Sequence, residues 1–315
     1  MIRERVAVVG AGSIGVAFCA LFARAGFEVR LTDPFPDALE RALGELAARL
    51  ELLASHGLLD EPPEELAARV TTAASIAEAV DGAILVQECA PERLELKREL
   101  FAELAAASGP HTVLATSSSA LTASAIVGDG PGAERTLVGH PGNPPYLLPV
   151  IEVVPSPATS NDIVATAESI YRRAGLTTVR VRREVEGFVF NRLQGALLRE
   201  AYCLVRDGVA TVDDIDTIVR LGLGRRWGVI GPFETSDLNT RGGIESHAEK
   251  MGPAYERMGA ERGQHDPWTP ELVAEVTRQR RAALPLDQWD ERVRWRDEQL
   301  LDIAARADSA PRPRA

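Results

Sequence analysis

The chain has 315 residues, of which 45 % are hydrophobic and 26 % are charged. This length and composition predict about two globular domains with sizeable cores, and they exclude a disordered chain or a small disulfide-dependent scaffold. The 46 acidic side chains outnumber the 35 basic ones, and the formal net charge of -11 disfavours nucleic acid and anionic membranes as partners.

Three cysteines lie far apart and include no Cys-x-x-Cys pair, so neither a disulfide framework nor a metal site is expected. We interpret this as a reduced, cytoplasmic protein. The apolar run at 6–23 follows two arginines, as in a signal peptide. Because three glycines interrupt the run and Arg24 ends it, we expect neither a leader nor a membrane segment there.

Short apolar strands alternate with helical stretches over the first part of the chain. The predicted strands are 6–9, 28–32, 83–87, 112–116, 136–140, 150–154 and 178–181. The predicted helices are 14–25, 37–56, 64–69 and 92–107. Strands separated by helices favour an α/β fold with an open, mostly parallel sheet and helices on both faces.

The pattern changes after about Glu184, where no convincing strand follows. Residues 187–207 have the apolar period of a long helix, and helical segments continue toward the C-terminus. We therefore expect a sheet domain at 1–184 and an all-helical domain at 185–315. The tail at 310–314 is expected to be frayed.

A G-x-G-x-x-G motif directly follows the first predicted strand and opens the first helix. Gly10 permits the tight turn, Gly12 lets the backbone approach a pyrophosphate, and Gly15 allows close helix–strand packing. The helix N-terminus, at Ser13 and Ile14, supplies N–H donors and a positive dipole. The motif in this context predicts a Rossmann-type dinucleotide site.

Asp33 ends the second predicted strand, 18 residues after the last glycine of the motif. A carboxylate there can accept hydrogen bonds from ribose hydroxyls and repels a 2′-phosphate. No arginine follows in Pro34-Phe35-Pro36, so NAD is favoured over NADP. The alternative is a glycine-rich turn beside an aspartate helix cap.

His140 and Glu152 are the candidate catalytic pair. His140 ends a predicted strand, where open α/β sheets bind their ligands, and Glu152 lies twelve residues later inside an apolar strand. A buried carboxylate needs a partner, and an imidazole base would take a hydroxyl proton as hydride leaves carbon. The alternative is a turn histidine and a solvent-facing glutamate on an edge strand.

Two further polar features fall on the same expected edge. Ser117-Ser118-Ser119 follows a strand, and a hydroxyl there can bind a substrate oxygen or cap a helix. Asn191 lies amid apolar residues on the first turn of the long helix, so its amide needs a partner from the protein or from a substrate.

Several segments together resemble the 3-hydroxyacyl-CoA dehydrogenase family. They are Val9 to Gly15, Gln87 to Glu92, His140 to Pro145 and Gly187 to Leu193. Three later segments, at 222–227, 230–235 and 294–298, are similar to its λ-crystallin/L-gulonate 3-dehydrogenase branch. The resemblance covers nearly the whole chain.

The resemblance implies roles for most of these residues. His140 would be the general base and Glu152 its partner, while Ser119 and Asn191 would contact the reacting oxygen region of the substrate. Ser119 keeps the family's 21-residue offset to the histidine, but Ser118 stays open because Ser-Ser-Ser-Ala departs from the usual Thr-Ser-Ser or Thr-Ser-Cys.

The resemblance also implies that Glu92 and Lys97 line the nicotinamide side of NAD. On the residues alone, the two would be an ordinary solvated helix pair. In the family, the helical domain closes over the nicotinamide and excludes water, and it usually forms a homodimer.

The expected substrate is a small hydroxy acid. Residues 37–69 carry eight acidic and three basic side chains, which disfavours the phosphates of coenzyme A. Arg226 matches an arginine of the gulonate branch and would hold a carboxylate, unless it is a surface arginine beside Trp227.

The function expected is NAD-dependent oxidation of the 3-hydroxyl of an L-3-hydroxy acid, with L-gulonate favoured. The alternative substrates are 3-hydroxybutyryl-CoA or another 3-hydroxyacyl-CoA, and other small hydroxy acids including carnitine. A non-catalytic, NAD-binding crystallin-like protein is the alternative from a different class.

Overall fold

A computed structural model describes residues 4–228, 231–239 and 243–262. It also describes isolated positions and short runs beyond them, at 271, 274–275, 278, 282, 285–288, 291, 294–295, 298, 301–302 and 305. The predicted tail at 310–314 and residues 230 and 296–297 of the branch-specific segments lie outside the described residues. The chain forms two compact units, Met1–Arg192 with Arg294–Ala315, and Leu193–Val293. The expected domain boundary between 184 and 185 stays a prediction.

Eight strands form one sheet in the first unit. They are β1 (Arg5–Val9), β2 (Glu28–Thr32), β3 (Val70–Thr72), β4 (Ala83–Glu88), β5 (Val113–Thr116), β6 (Thr136–Pro141), β7 (Val150–Pro155) and β8 (Thr177–Arg180). Their order across the sheet is β3-β2-β1-β4-β5-β6-β7-β8. All neighbours are parallel except β6 and β7, which confirms the predicted mostly parallel α/β sheet.

Helices cover the two faces of this sheet. They are α1 (Ser13–Arg24), α2 (Pro36–Ser55), α3 (Pro63–Ala67), α4 (Ile76–Val80), α5 (Leu94–Ala107), α6 (Ala123–Val127) and α7 (Asn161–Arg173). A further helix, α8 (Phe190–Arg206), begins in this unit. Alternate residues of β1 point into separate cores: Val6 and Val8 pack with α1 and α2, while Ala7 and Val9 pack with α4 and α5. This two-sided burial explains the continuous apolar run in that strand.

The predicted elements omit β3, α4, α6 and α7. The first three span three to five residues, which is too short for a recognisable period. Helix α7 does bury residues at helical spacing, at Ile163, Val164, Ala167 and Ile170, and Ser160 caps its N-terminus. That pattern is sufficient to predict a helix.

The second unit is helical in the part that the structure describes, as predicted. It holds the rest of α8, α9 (Val212–Ile218), α10 (Gly224–Trp227), α11 (Pro232–Leu238) and α12 (Gly243–Arg262). Arg262 at the end of α12 pairs with Glu200 on α8, with 2.9 Å from Nε to the carboxylate, and with Asp207 just beyond it. Of the helices described, none has the length and apolar character needed to cross a membrane.

Candidate active site

The antiparallel register of β6 and β7 places His140 directly opposite Glu152. His140 Nδ1 lies 2.7 Å from Glu152 Oε2, and the two residues are 6 % and 3 % exposed. Strand β8 pairs with β7 on its other side, so β7 is not an edge strand. The alternative of a solvent-facing glutamate on an edge strand is therefore wrong.

The second oxygen of Glu152 is held by the backbone. Oε1 accepts hydrogen bonds from the N–H groups of Val189, at 2.7 Å, and Phe190, at 3.0 Å. These two N–H donors occupy Oε1, so Oε2 is left as the acceptor that faces His140, which favours the histidine tautomer with its proton on Nδ1. The Nε2 atom of His140 then carries a lone pair that can accept a proton.

The segment before α8 is shaped to reach this carboxylate. Gly187 and Phe188 both have positive φ, at 73° and 49°, and such a φ is uncommon for a residue other than glycine. Phe188 is buried, with its ring centroid 5.6 Å from that of His140. The left-handed turn thus packs an aromatic ring on the imidazole and directs the following two amides at Glu152.

A second set of buried contacts supports β6. Gly139 precedes His140, and a Cβ at Gly139 would lie 2.2 Å from the hydroxyl of Tyr171, so only glycine fits there. Tyr171 Oη donates to Gln87 Oε1 at 2.6 Å, and Gln87 Nε2 donates to the Gly139 carbonyl at 3.4 Å. Burial raises the pKa of Tyr171 far above its ordinary value, so this phenol stays a neutral donor.

Asn191 and the serine segment meet at the same edge of the sheet. Asn191 Nδ2 donates to the Ser119 carbonyl at 2.9 Å. Ser118 is buried, donates its hydroxyl hydrogen to Glu92 and accepts from the Leu121 N–H at 2.7 Å. Ser119 is exposed, and within the described residues its hydroxyl has no hydrogen-bond partner. Ser118 and Ser119 are the two candidates for the substrate contact, and of these Ser119 is the one whose hydroxyl is available to a ligand.

Lys97 lies in the interior rather than on a solvated face. It is 1 % exposed, and its Nζ donates to both carboxylate oxygens of Glu88, at 2.7 and 2.8 Å. Thr116 Oγ1 donates to the same carboxylate, and the Ala90 N–H does so at 2.6 Å. Glu88 therefore joins the ends of β4 and β5, which carry the candidate site residues.

Glu92 is the member of this group that reaches the surface, with 42 % of its side chain exposed. Burial alone would raise its pKa, but the Ser118 hydrogen bond, the Lys97 ammonium and the Ala120 and Leu121 N–H groups lower it below the ordinary value. Glu92 is thus held as a carboxylate beside the serine segment.

The motif residues form a tight turn between β1 and α1. Gly10 has a φ of 108°, and a Cβ there would lie 2.7 Å from the Cys89 carbonyl oxygen; one at Gly15 would lie 1.9 Å from the Gly10 oxygen. By contrast, a Cβ at Gly12 would meet nothing within 4 Å. Two glycines are thus required by the protein itself, while the third leaves open space at the helix N-terminus.

Asp33 closes this turn from β2. Its Oδ2 accepts from the Ala11 N–H at 2.8 Å, and its Oδ1 accepts from the Phe35 N–H at 3.0 Å. Ser13 is exposed and Ile14 half-buried in the first turn of α1, where backbone N–H groups lack partners within the helix.

Two family models match the chain. The 3-hydroxyacyl-CoA dehydrogenase NAD binding domain matches residues 5–185, and the 3-hydroxyacyl-CoA dehydrogenase C-terminal domain matches residues 187–283. The chain belongs to the 3-hydroxyacyl-CoA dehydrogenase family. The resemblance inferred from the sequence motifs is confirmed, and so is NAD as the cofactor. Membership makes the chain an oxidoreductase.

Individual relatives of this dehydrogenase include a lambda-crystallin homolog of Bos taurus, 41 % identical over 80 % of this chain and 79 % of the relative. An L-carnitine dehydrogenase of Streptomyces coelicolor is 40 % identical over 87 % of this chain and 84 % of its own. Among solved structures, an NAD-dependent 5-formyl-3-hydroxy-2-methylpyridine 4-carboxylic acid 5-dehydrogenase matches with a TM-score of 0.84. It is 27 % identical and covers 98 % of this chain and 100 % of its own.

The glycine turn of this dehydrogenase fits the NAD pyrophosphate. The open space at Gly12 admits a ligand to the first-turn N–H groups of α1, where the helix dipole favours an anion. Asp33 lies at the end of β2, where the ribose hydroxyls of a dinucleotide are expected. A bound NAD would accept hydride from a substrate.

Two glycine substitutions are expected to separate cofactor binding from folding. Gly12→Ala adds a methyl group to space empty of protein, so the unfolding midpoint should stay within about 2 °C while the Kd for NAD rises about tenfold or more. Gly15→Ala forces a clash with the backbone and should lower the unfolding midpoint by several degrees. Calorimetric NAD titration and thermal unfolding measure both effects. Unchanged NAD affinity in Gly12→Ala would contradict a pyrophosphate at this turn.

Arg226 lies in the second unit, on α10, with Trp227 beside it. Both side chains are exposed in the structure as described. Its role toward a substrate carboxylate stays a prediction, as do the homodimer and the cytoplasmic location.

Proposed function

We propose that this dehydrogenase oxidises the 3-hydroxyl of a small L-3-hydroxy acid to the 3-keto acid, with NAD as hydride acceptor. The observation that carries this proposal is the buried His140–Glu152 pair, 2.7 Å apart, which leaves His140 Nε2 as a proton acceptor at the carboxyl end of a central strand.

In the proposed reaction His140 is the general base. Bound NAD would supply the acceptor for the hydride that leaves C3 of the substrate. As a C=O bond forms there, the O–H proton would move to His140 Nε2. Glu152 stabilises the imidazolium produced, because its carboxylate already bonds Nδ1. In the reverse direction, the same imidazolium returns the proton to the keto oxygen.

Ser119 and Asn191 are proposed to bind the reacting oxygen region. The exposed Ser119 hydroxyl is available as a hydrogen-bond donor to substrate oxygen. The Asn191 amide is fixed on the same segment by its 2.9 Å bond to the Ser119 carbonyl. Together they would orient C3 of the substrate toward the nicotinamide. Glu92 is proposed to line the nicotinamide side of NAD.

Among substrates we favour L-gulonate. Helices α2 and α3 carry an acidic balance that opposes the phosphates of coenzyme A. The lambda-crystallin and L-carnitine dehydrogenase relatives also support the branch that was inferred from the motifs. Arg226 is the residue that we propose for the substrate carboxylate. A 3-hydroxyacyl-CoA is the second candidate, since the matching family models carry that name.

The test is the appearance of NADH absorbance when purified protein receives NAD with L-gulonate, L-carnitine or L-3-hydroxybutyryl-CoA. We expect turnover with L-gulonate and a KM at least about tenfold higher in Arg226→Gln, because a paired guanidinium–carboxylate contact is lost. Activity with the CoA ester alone would contradict the small-acid proposal. Binding of NAD without turnover of any hydroxy acid would favour the crystallin-like alternative.

A further inference from the structure

Arg49 on α2 lies against the first turn of α1. Its Nη1 donates to the Ser13 carbonyl at 2.8 Å, and its Nη2 donates to the Ser13 hydroxyl at 3.0 Å. The side chain is 17 % exposed, and its guanidinium carbon lies 5.8 Å from the ring centroid of Tyr146, in the loop that follows His140. Two contacts thus fix a long cationic side chain at the glycine turn.

The helix terminus beside Arg49 opposes a cation, and the oxygens of Ser13 and the carboxylate of Glu45 offset this effect. The N-terminus of a helix carries positive partial charge, so a guanidinium beside it is repelled. The first turn of α1 contains no acidic residue, and Arg49 instead pairs with Glu45 on its own helix at 2.9 Å. An anion bound at the turn would be attracted by both the helix and the guanidinium.

We infer that Arg49 is a binding residue for the pyrophosphate of NAD. The α1 N–H groups approach the pyrophosphate from the turn, and the guanidinium adds a charge-assisted hydrogen bond from the α2 side. Ser13 steers Arg49 into place through its carbonyl and hydroxyl oxygens. Glu45 competes with the pyrophosphate for the same guanidinium, so it acts against cofactor affinity.

Two variants on the same helix are expected to change the Kd for NAD in opposite directions. In calorimetric titrations, Arg49→Gln is expected to raise the Kd for NAD about tenfold to a hundredfold, and the Kd for ADP-ribose by the same factor. Glu45→Gln is expected to lower both Kd values about threefold. Adenosine, which has no pyrophosphate, should bind both variants as it binds the wild-type protein.

Several results would overturn the inference. Unchanged NAD affinity in Arg49→Gln would remove the contact, and an equal loss of adenosine affinity would mean that Arg49 only supports the fold of the turn. A Glu45→Gln variant that binds NAD more weakly would assign Glu45 and Arg49 to a purely structural ion pair. If Arg49→Gln weakened coenzyme A but not NAD, the guanidinium would belong to a substrate phosphate instead.

Discussion

Replacing His140 by glutamine is expected to lower kcat by about 10² to 10⁴ while the Kd for NAD stays unchanged. Glutamine retains a hydrogen bond to Glu152 but offers no basic nitrogen, so the hydroxyl proton has no acceptor as hydride leaves. The motif residues that we propose for NAD binding lie elsewhere, between β1 and α1. Steady-state kinetics with the preferred hydroxy acid, together with calorimetric NAD titration, measure the two effects.

The matched control is His111→Gln, because His111 is an exposed loop histidine. We expect its kcat to equal that of the wild-type protein. Unchanged turnover in His140→Gln, with NAD still bound, would remove His140 as the base. A loss of NAD affinity in the same variant would instead indicate damage to the sheet edge.

Glu152→Gln is expected to remove the base by changing the tautomer of His140. With its oxygen held by the Val189 and Phe190 amides, a glutamine would present its NH₂ group to His140. Nδ1 must then accept, the proton moves to Nε2, and the base is lost without any change of shape. We therefore expect a loss of kcat comparable to that of His140→Gln. Rescue of turnover by raised pH would contradict a tautomer effect of this kind.

The parts of the fold that the sequence predicts best are those with local signals. Apolar runs identify the central strands, and the glycine motif identifies the turn because Gly10 and Gly15 leave no room for a side chain while Gly12 borders open space. Glu152 is recognisable since a carboxylate in the apolar strand 150–154 requires a partner. Glu88 also ends an apolar strand, so the need of a buried carboxylate for a partner marks it as well, although it is not among the candidates predicted from the sequence.

Other features of the site depend on contacts between distant parts of the chain. Nothing near Lys97 in sequence indicates that its ammonium is buried, because its partner is brought to it by the β4–α5 connection. Likewise the amides of Val189 and Phe190 reach Glu152 only because Phe188 adopts a positive φ. Backbone conformations and pairings of this kind have no signal in composition or periodicity.

Replacing Lys97 by methionine is expected to destabilise the folded protein by about 3–5 kcal/mol, since it leaves the buried Glu88 carboxylate without its cation. Chemical denaturation at neutral pH measures the change. The matched control is Lys250→Met on α12, where the lysine is exposed and the expected change is within about 0.5 kcal/mol. A cost below about 1 kcal/mol for Lys97→Met would mean that the ion pair is not buried as described.

The double variant Lys97→Met with Glu88→Leu is expected to recover most of that stability, because removing both charges avoids an uncompensated one. Turnover should not recover with it. Glu92 loses the ammonium that lies 3.6 Å away, and Thr116 loses the carboxylate that fixes the start of the serine segment. A double variant that is both stable and fully active would show that the buried pair stabilises the sheet without positioning Ser119 or Glu92. A separation of stability from turnover would assign the Glu88–Lys97 pair to positioning the active site.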